Sequence, residues 1–208
     1  MKNVDDLIES AGKLSERGFS KGEVADELNV SRETASWLVD RNTGTTTPKA
    51  TGGPHDIHID WSALGRDSER LAYTGRAMAD LLSKQGEAVD LTVGIEKAGT
   101  PLATVVAREL DTDISTYAPR KHQWEDNEME DLEGTFSENF ANIRGRECYV
   151  VDDTITSGTT MRETVQGIRK RGGDPVACVV LVDKQGIEEV DGVPVYSLVQ
   201  AIRVGNAD

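Results

Sequence analysis

Apolar residues along this chain change their spacing twice, and those changes outline its elements. In residues 4–17, Val4, Leu7, Ile8, Ala11 and Leu14 recur at helical intervals and form one apolar face. Gly18 and Phe19 break that pattern. Ser20 followed by Glu23 forms a capping box and predicts a second helix through Val24, Ala25 and Leu28. Asn29 and Val30 read as a short turn. Ser31 then caps a third helix that holds Thr34 and Ala35 and runs through Trp37, Leu38 and Val39 to Arg41. Residues 43–56 (TGTTTPKATGGPHD) hold five Thr, three Gly and two Pro and no aliphatic residue larger than Ala, the composition of a linker or a wing. From residue 57 the pattern alternates. A helix is predicted at 67–84 with Leu71, Met78, Leu81 and Leu82 on its apolar face, then a strand at 90–95 (DLTVGI). A helix follows Gly99 through Leu102, Val105, Val106 and Leu110, and strands follow near 114–117 and 146–151. A helix near 158–171, a strand at 175–183 (PVACVVLVD) and a β-rich tail complete the chain. Apolar strands alternating with amphipathic helices predict a mostly parallel sheet with helices on both faces.

The fold class expected is therefore α/β: a small all-α domain at 1–42, a linker or wing at 43–56, and a parallel-sheet domain at 57–208. Three short helices with a tight last turn are the outline of a helix-turn-helix. The stretch FSKGEVADELNVSRETASWLVDR resembles that family. Its third helix offers Ser31, Arg32, Glu33, Thr34 and Ser36, short or polar groups suited to phosphate and base-edge contacts, with Arg41 near its end. Arg32 and Thr34 are expected to face the major groove, and Trp37 and Leu38 to pack inward. A helical cap with no role in DNA binding fits the same pattern.

Charge complicates that picture. The chain has 37 acids against 23 bases, a net charge of −14, with nine Lys to fourteen Arg. Such a surface repels nucleic acid at ordinary ionic strength. An acidic, Lys-poor surface also suits a protein living in high salt, where a Debye length of ~3 Å at 1 M removes the long-range veto on DNA binding. No apolar run approaches the ~18 residues of a membrane span, and residues 1–6 lack the apolar core of a secretory signal. Cys148 and Cys178 sit in apolar stretches and are expected to be buried free thiols, which places the chain in a reducing cytoplasm. His55 and His58 have no other His or Cys near them in sequence, so no metal site is expected.

The most informative run is Val150, Val151, Asp152, Asp153, Thr154, Ile155, Thr156, Ser157, Gly158, Thr159, Thr160. An apolar strand delivers two carboxylates, and a loop of small hydroxyl residues then opens a helix whose first backbone amides face outward. That is a phosphate cradle. Two carboxylates beside a phosphate must bind a cation or neutral hydroxyls, and a ribose ring with its 2′- and 3′-hydroxyls meets the second condition. A plain strand-turn-helix carrying two solvated aspartates fits the same run.

This run resembles the phosphoribosyl-pyrophosphate motif of type I phosphoribosyltransferases. Gly94-Ile95-Glu96-Lys97-Ala98-Gly99-Thr100-Pro101-Leu102-Ala103 resembles that family's pyrophosphate-side loop, and Asp183-Lys184 matches the strand end that leads to its base-covering hood. The resemblance covers about residues 57–208. It implies a ligand held by Glu96, Lys97, Ala98, Gly99, Asp152, Asp153, Thr154, Thr156, Ser157, Gly158, Thr159 and Thr160. The departure from the family is in the loop that closes over pyrophosphate. Arg120-Lys121-His122 begins it, but Glu125, Asp126, Glu128, Glu130, Asp131, Glu133 and Glu138 follow with no base before Arg144. Seven carboxylates are ill suited to a leaving group whose developing charge needs cations.

A helix-turn-helix joined to such a domain resembles the archaeal sugar-catabolism regulators often labelled orotate phosphoribosyltransferase-like, and more distantly the purine operon repressors. That resemblance implies a cytoplasmic homodimer without catalytic residues, binding double-stranded promoter DNA and a small phosphorylated sugar or phosphoribosyl pyrophosphate. No cofactor is required, and Mg2+ is implied only alongside a pyrophosphate-bearing ligand. The alternative is an active orotate or purine phosphoribosyltransferase whose helical N-terminus mediates assembly.

Overall fold

Caps decide where the first helices begin. In the computed structural model, which describes residues 4–44, 56–85, 88–119, 134–137 and 139–201, α1 spans Val4–Glu16, α2 Lys21–Glu27 and α3 Arg32–Asn42. The Ser20 hydroxyl accepts from the Glu23 amide and the Glu23 carboxylate accepts from the Ser20 amide at 2.9 Å, the reciprocal pair its spacing predicts. Ser31 caps α3 by accepting from the Thr34 amide. Between α2 and α3, Asn29 takes a left-handed conformation (φ 50), one of the few side chains that does so readily. The three helices close around Leu7, Ala11, Val24, Ala25, Leu28, Val30, Ala35, Leu38 and Val39. Gly12 lets α1 meet the end of α3, since a Cβ there would lie 2.1 Å from Asn42 Nδ2.

The chain divides into two units, Met1–Trp61 and Ser62–Asp208. The sequence reading starts the second domain at 57. Residues 57–61 instead belong with the helices, because Ile59 and His58 bond to Asn29 and Leu28, partners some thirty residues away that no local pattern reveals. The stretch 45–55 lies outside the described residues.

The second unit contains α4 (Ser62–Gly65), α5 (Ser68–Ser83), β1 (Leu91–Ile95), α6 (Gly99–Leu110), β2 (Asp113–Ala118) and β3 (Thr135–Phe136). It continues with β4 (Glu147–Ile155), α7 (Thr159–Lys170), β5 (Asp174–Asp183), β6 (Glu189–Val190) and β7 (Val193–Gln200). The strands form one sheet in the order β3-β2-β1-β4-β5-β7-β6. Its five middle strands are parallel, and the two-residue strands β3 and β6 close the edges antiparallel. The short α4 and β3 carry no periodicity long enough to read from sequence.

Every residue of β1 is buried, as are Val179 to Asp183 of β5, which is the signature of strands covered on both faces. One face packs on α7 through Met161, Val165 and Ile168, together with Tyr117 and Phe136, whose rings lie 4.7 Å apart. On the other, α5 and α6 bury Met78, Leu82, Leu102 and Val106, and Gly75 lets Val105 approach closely. α7 is fixed along its outer side by Asp191 in the turn between β6 and β7. Its carboxylate accepts from Arg162 at 3.2 Å and from Gln166 at 2.9 Å, and its carbonyl accepts from Arg169 at 2.9 Å. Among the described residues no helix is long and apolar enough to cross a membrane.

Cys148 and Cys178 are both fully buried in this core and unpaired. Burial pushes the Cys148 thiol up to about 12 and Cys178 higher still. At pH 8 neither is a thiolate, the reactive form. Native protein is therefore expected to release almost no colour from a thiol-specific disulfide reagent, and unfolded protein two equivalents per chain. Rapid labelling of the native state would contradict this burial.

Candidate functional site

Strand register builds the site. β1 pairs with β4 only from Leu91↔Cys148 to Gly94↔Val151, whereas β5 accompanies β4 on to Ile155↔Asp183. Asp152, Asp153, Thr154 and Ile155 are therefore strand residues paired on one side only; the sequence reading sets the two acids at the strand's edge and starts the loop at the hydroxyl residues, too early by Thr154 and Ile155. The chain leaves β1 through α6 toward β2, and leaves β4 through α7 toward β5. Strand order thus reverses between β1 and β4, and the carboxyl ends of strands at such a point form a ligand crevice.

Two short loops line this crevice. Residues 96–98 join β1 to α6, with Glu96 and Ala98 half-buried and Lys97 exposed; the Glu96–Lys97 peptide bond is cis. The Glu96 amide donates to the Tyr117 carbonyl at 2.8 Å. Gly99 starts α6 directly against β4: a Cβ there would lie 2.5 Å from the Val151 carbonyl oxygen and 2.8 Å from Asp152 Cα. This contact brings the first predicted motif onto the second. Asp153 is buried and Asp152 half-buried, and Asp152 Oδ1 accepts from the Asp153 amide at 2.9 Å.

Thr156, Ser157 and Gly158 make the loop before α7. Gly158 occupies the N-cap position with φ 72, so no side chain caps the helix. The Ser157 and Thr159 hydroxyls lie 2.9 Å apart, both exposed, and Thr156 and Thr160 are half-buried beside them. Outward hydroxyls at an uncapped helix start suit an anion. Thr154 is half-buried within β4 opposite Val182. Arg120–Glu133 and Glu138, which carry the acidic loop, lie outside the described residues.

On the helical unit, Arg32, Glu33 and Arg41 are exposed on α3 and Ser36 is half-buried. The Lys21 ammonium donates to Ser36 Oγ at 2.8 Å and to Asp40 at 3.2 Å. Arg41 stacks over Trp37, 5.0 Å from the ring centroid. Leu38 is buried, and Trp37 packs against the core with its ring partly exposed. Thr34 corrects the sequence reading. It is buried, with its Oγ1 2.9 Å from Ser31 Oγ, so it points into the cap and not toward a groove. Of the two histidines, His58 directs Nδ1 to the Leu28 carbonyl, and His55 lies outside the described residues.

Residues 60–206 match the phosphoribosyl transferase domain family. The adenine phosphoribosyltransferase of Thermoanaerobacter pseudethanolicus superposes with a TM-score of 0.57 at 18% identity, covering 74% of this chain and 93% of that one. The orotate phosphoribosyltransferase of Mycobacterium tuberculosis, in complex with phosphoribosyl pyrophosphate, gives 0.54 at 20% identity, covering 68% and 80%. These likenesses establish the fold. Over its whole length the chain is 68% identical across 208 residues to the transcriptional regulator GfcR of Haloarcula marismortui, covering 99% of this chain and 98% of the relative. It is 41% identical to GfcR of Methanosarcina mazei, covering 98% and 100%.

The chain belongs to the GfcR family of transcriptional regulators.

GfcR relatives align with both units, helices included, which favours the regulator over a transferase with an assembly module. One residue beside the Thr156–Thr160 loop carries more than its place in the sequence suggests. Asp183 is buried, and its carboxylate accepts from the amides of Gln185 and Gly186 at 2.9 Å and of Ile187 at 2.8 Å. The turn it holds places Ile187 beside Gly158, where a Cβ would lie 3.4 Å from Ile187 Cδ1. An aspartate at a strand end just before Lys-Gln-Gly was the available signal.

Gly99→Ala is expected to destabilise the second unit by about 1–3 kcal/mol, because the added methyl meets backbone that cannot rotate away. Urea denaturation measures this. An unchanged midpoint would show that α6 does not abut β4 as described.

Proposed function

We propose that this GfcR-family regulator binds promoter DNA of sugar-degrading genes through α3 and senses a phosphorylated sugar or phosphoribosyl pyrophosphate in the β1–β4 crevice. The observation that carries the reading is Gly99 seated on Asp152, which joins a loop of backbone amides to an acid pair and a hydroxyl cradle. The cradle suits phosphate, and the acid pair suits ribose hydroxyls. The acids following Lys121 remove the cations that transfer would need, so this domain holds its ligand without turning it over. If the ligand brings a pyrophosphate, Asp152 supplies a hard oxygen donor of the type Mg2+ takes, the ion remaining mostly on phosphate and water.

Arg32, Glu33, Ser36 and Arg41 form the DNA-facing set, with the Ser31 and Thr34 hydroxyls committed to the cap. Six bases against nine acids in residues 1–42 give weak binding to a single copy. A homodimer doubles the contacts and imposes a pseudo-palindromic site. The acidic surplus fits a cytoplasm rich in salt, where the protein's own field is screened.

Fluorescence anisotropy with a duplex from upstream of its own gene, with and without candidate sugar phosphates, tests this reading. Arg32→Ala is expected to cost about 1–3 kcal/mol of specific binding. Equal affinity of variant and parent for every promoter in high salt would remove α3 as the reader. Asp152→Asn combined with Asp153→Asn is expected to keep DNA affinity and abolish an effector response of ~5–150-fold. A normal response in that double variant would place the sensor elsewhere. Turnover of orotate or a purine base at ~1 per second or faster would restore the transferase reading.

A further inference from the structure

Residues 56–61 run back over the helix-turn-helix and bond to three of the four residues that join α2 to α3. Leu28 is the C-cap of α2, and His58 Nδ1–H donates to its carbonyl. The left-handed Asn29 donates from Nδ2 to the Ile59 carbonyl at 3.0 Å. The Ser31 amide, at the N-cap of α3, donates to the Asp56 carboxylate. The other Asp56 oxygen accepts from the Ile57 amide at 2.7 Å, which fixes the carboxylate in place. Helix ends leave such backbone groups without helical partners, and here the returning strap supplies them.

The strap ends at Trp61, and α4 of the other unit begins at the next residue. The Arg66 and Asp67 amides close α4 onto Ser62 and Leu64 at 3.1 and 3.2 Å, and the Asp67 side chain caps α5. Asp60 and Trp61 alone lie between Ile59 and the first residue of α4. Gly44 lies just past the C-terminus of α3 and Asp56 beside its N-terminus, so both residues that flank the stretch 45–55 sit on the same unit. We infer that residues 56–61 are the strap that ties recognition helix α3 to the ligand-binding domain, with Asp56 and His58 as its positioning residues. This inference rests on the DNA-binding reading above.

Hydrogen exchange on the full chain, with the same promoter duplex as probe, tests it. In the parent protein, DNA is expected to slow exchange both at residues 28–36 and in α4. A Gly-Ser-Gly insertion between Trp61 and Ser62 is expected to keep DNA affinity within about threefold and the slowing at 28–36, yet lose the slowing in α4. The same insertion between Lys49 and Ala50 is expected to behave as the parent. Without DNA, Asp56→Ala with His58→Ala is expected to speed exchange at 28–32 about tenfold, with Asp56→Asn as the milder variant if that pair unfolds. Persistent α4 slowing across the Trp61 insertion, absence of α4 slowing in the DNA-bound parent, or unchanged exchange at 28–32 would each overturn the strap. Failure of the parent to bind any promoter defeats the proposed function instead, and the DNA-free exchange still decides whether the strap holds the turn.

Discussion

Parallel pairing between β1 and β4 stops at Gly94 and Val151, while β4 continues against β5 as far as Asp183. That mismatch governs the crevice of the second unit. It leaves Asp152 to Ile155 with one edge open, and the residue that closes onto this edge has no side chain. Any side chain at Gly99 would push α6 off the β4 backbone and separate the two loops. Asp183 then holds the turn whose Ile187 flanks Gly158, so the cradle has a fixed wall on its far side as well.

Much of this was legible because chemistry and sequence were contiguous. An apolar strand, two acids and a run of small hydroxyls declare themselves in eleven consecutive residues, and alternating elements declare a parallel sheet. Local capping was equally legible at Ser20 and Glu23. Most of the failures trace to a bond that the hydrophobic and polar pattern does not show. Thr34 reads as an exposed polar residue until its hydroxyl is found against Ser31. Asp56 reads as linker, and His58 and Ile59 as the start of the second domain, because their partners lie 25 to 30 residues upstream. The full length of β4 was missed because two consecutive aspartates are poor strand formers by propensity, and pairing with β5 overrides that preference.

Neither unit draws much of its stability from exposed charge. Ion pairs such as Lys13–Glu9 and Lys84–Asp80 are well exposed and contribute little, less still when screened. Stability rests on aliphatic cores, on caps and on short backbone turns, none of which depends on long-range charge. A surface with a large acidic excess therefore coexists with an interior of Val, Leu, Ile and Ala that owes it nothing.

Asp191 receives Arg162, Gln166 and Arg169, which recur at intervals of four and three along one stripe of α7. These three bonds tie both halves of the helix to the turn between β6 and β7. Its twelve residues span ~18 Å, from the hydroxyl cradle to the opposite rim of the sheet. A displacement of its first turn is therefore shared with the β6–β7 hairpin to which it is bonded. The cradle and that hairpin form one mechanical part, and Asp191 is its rivet.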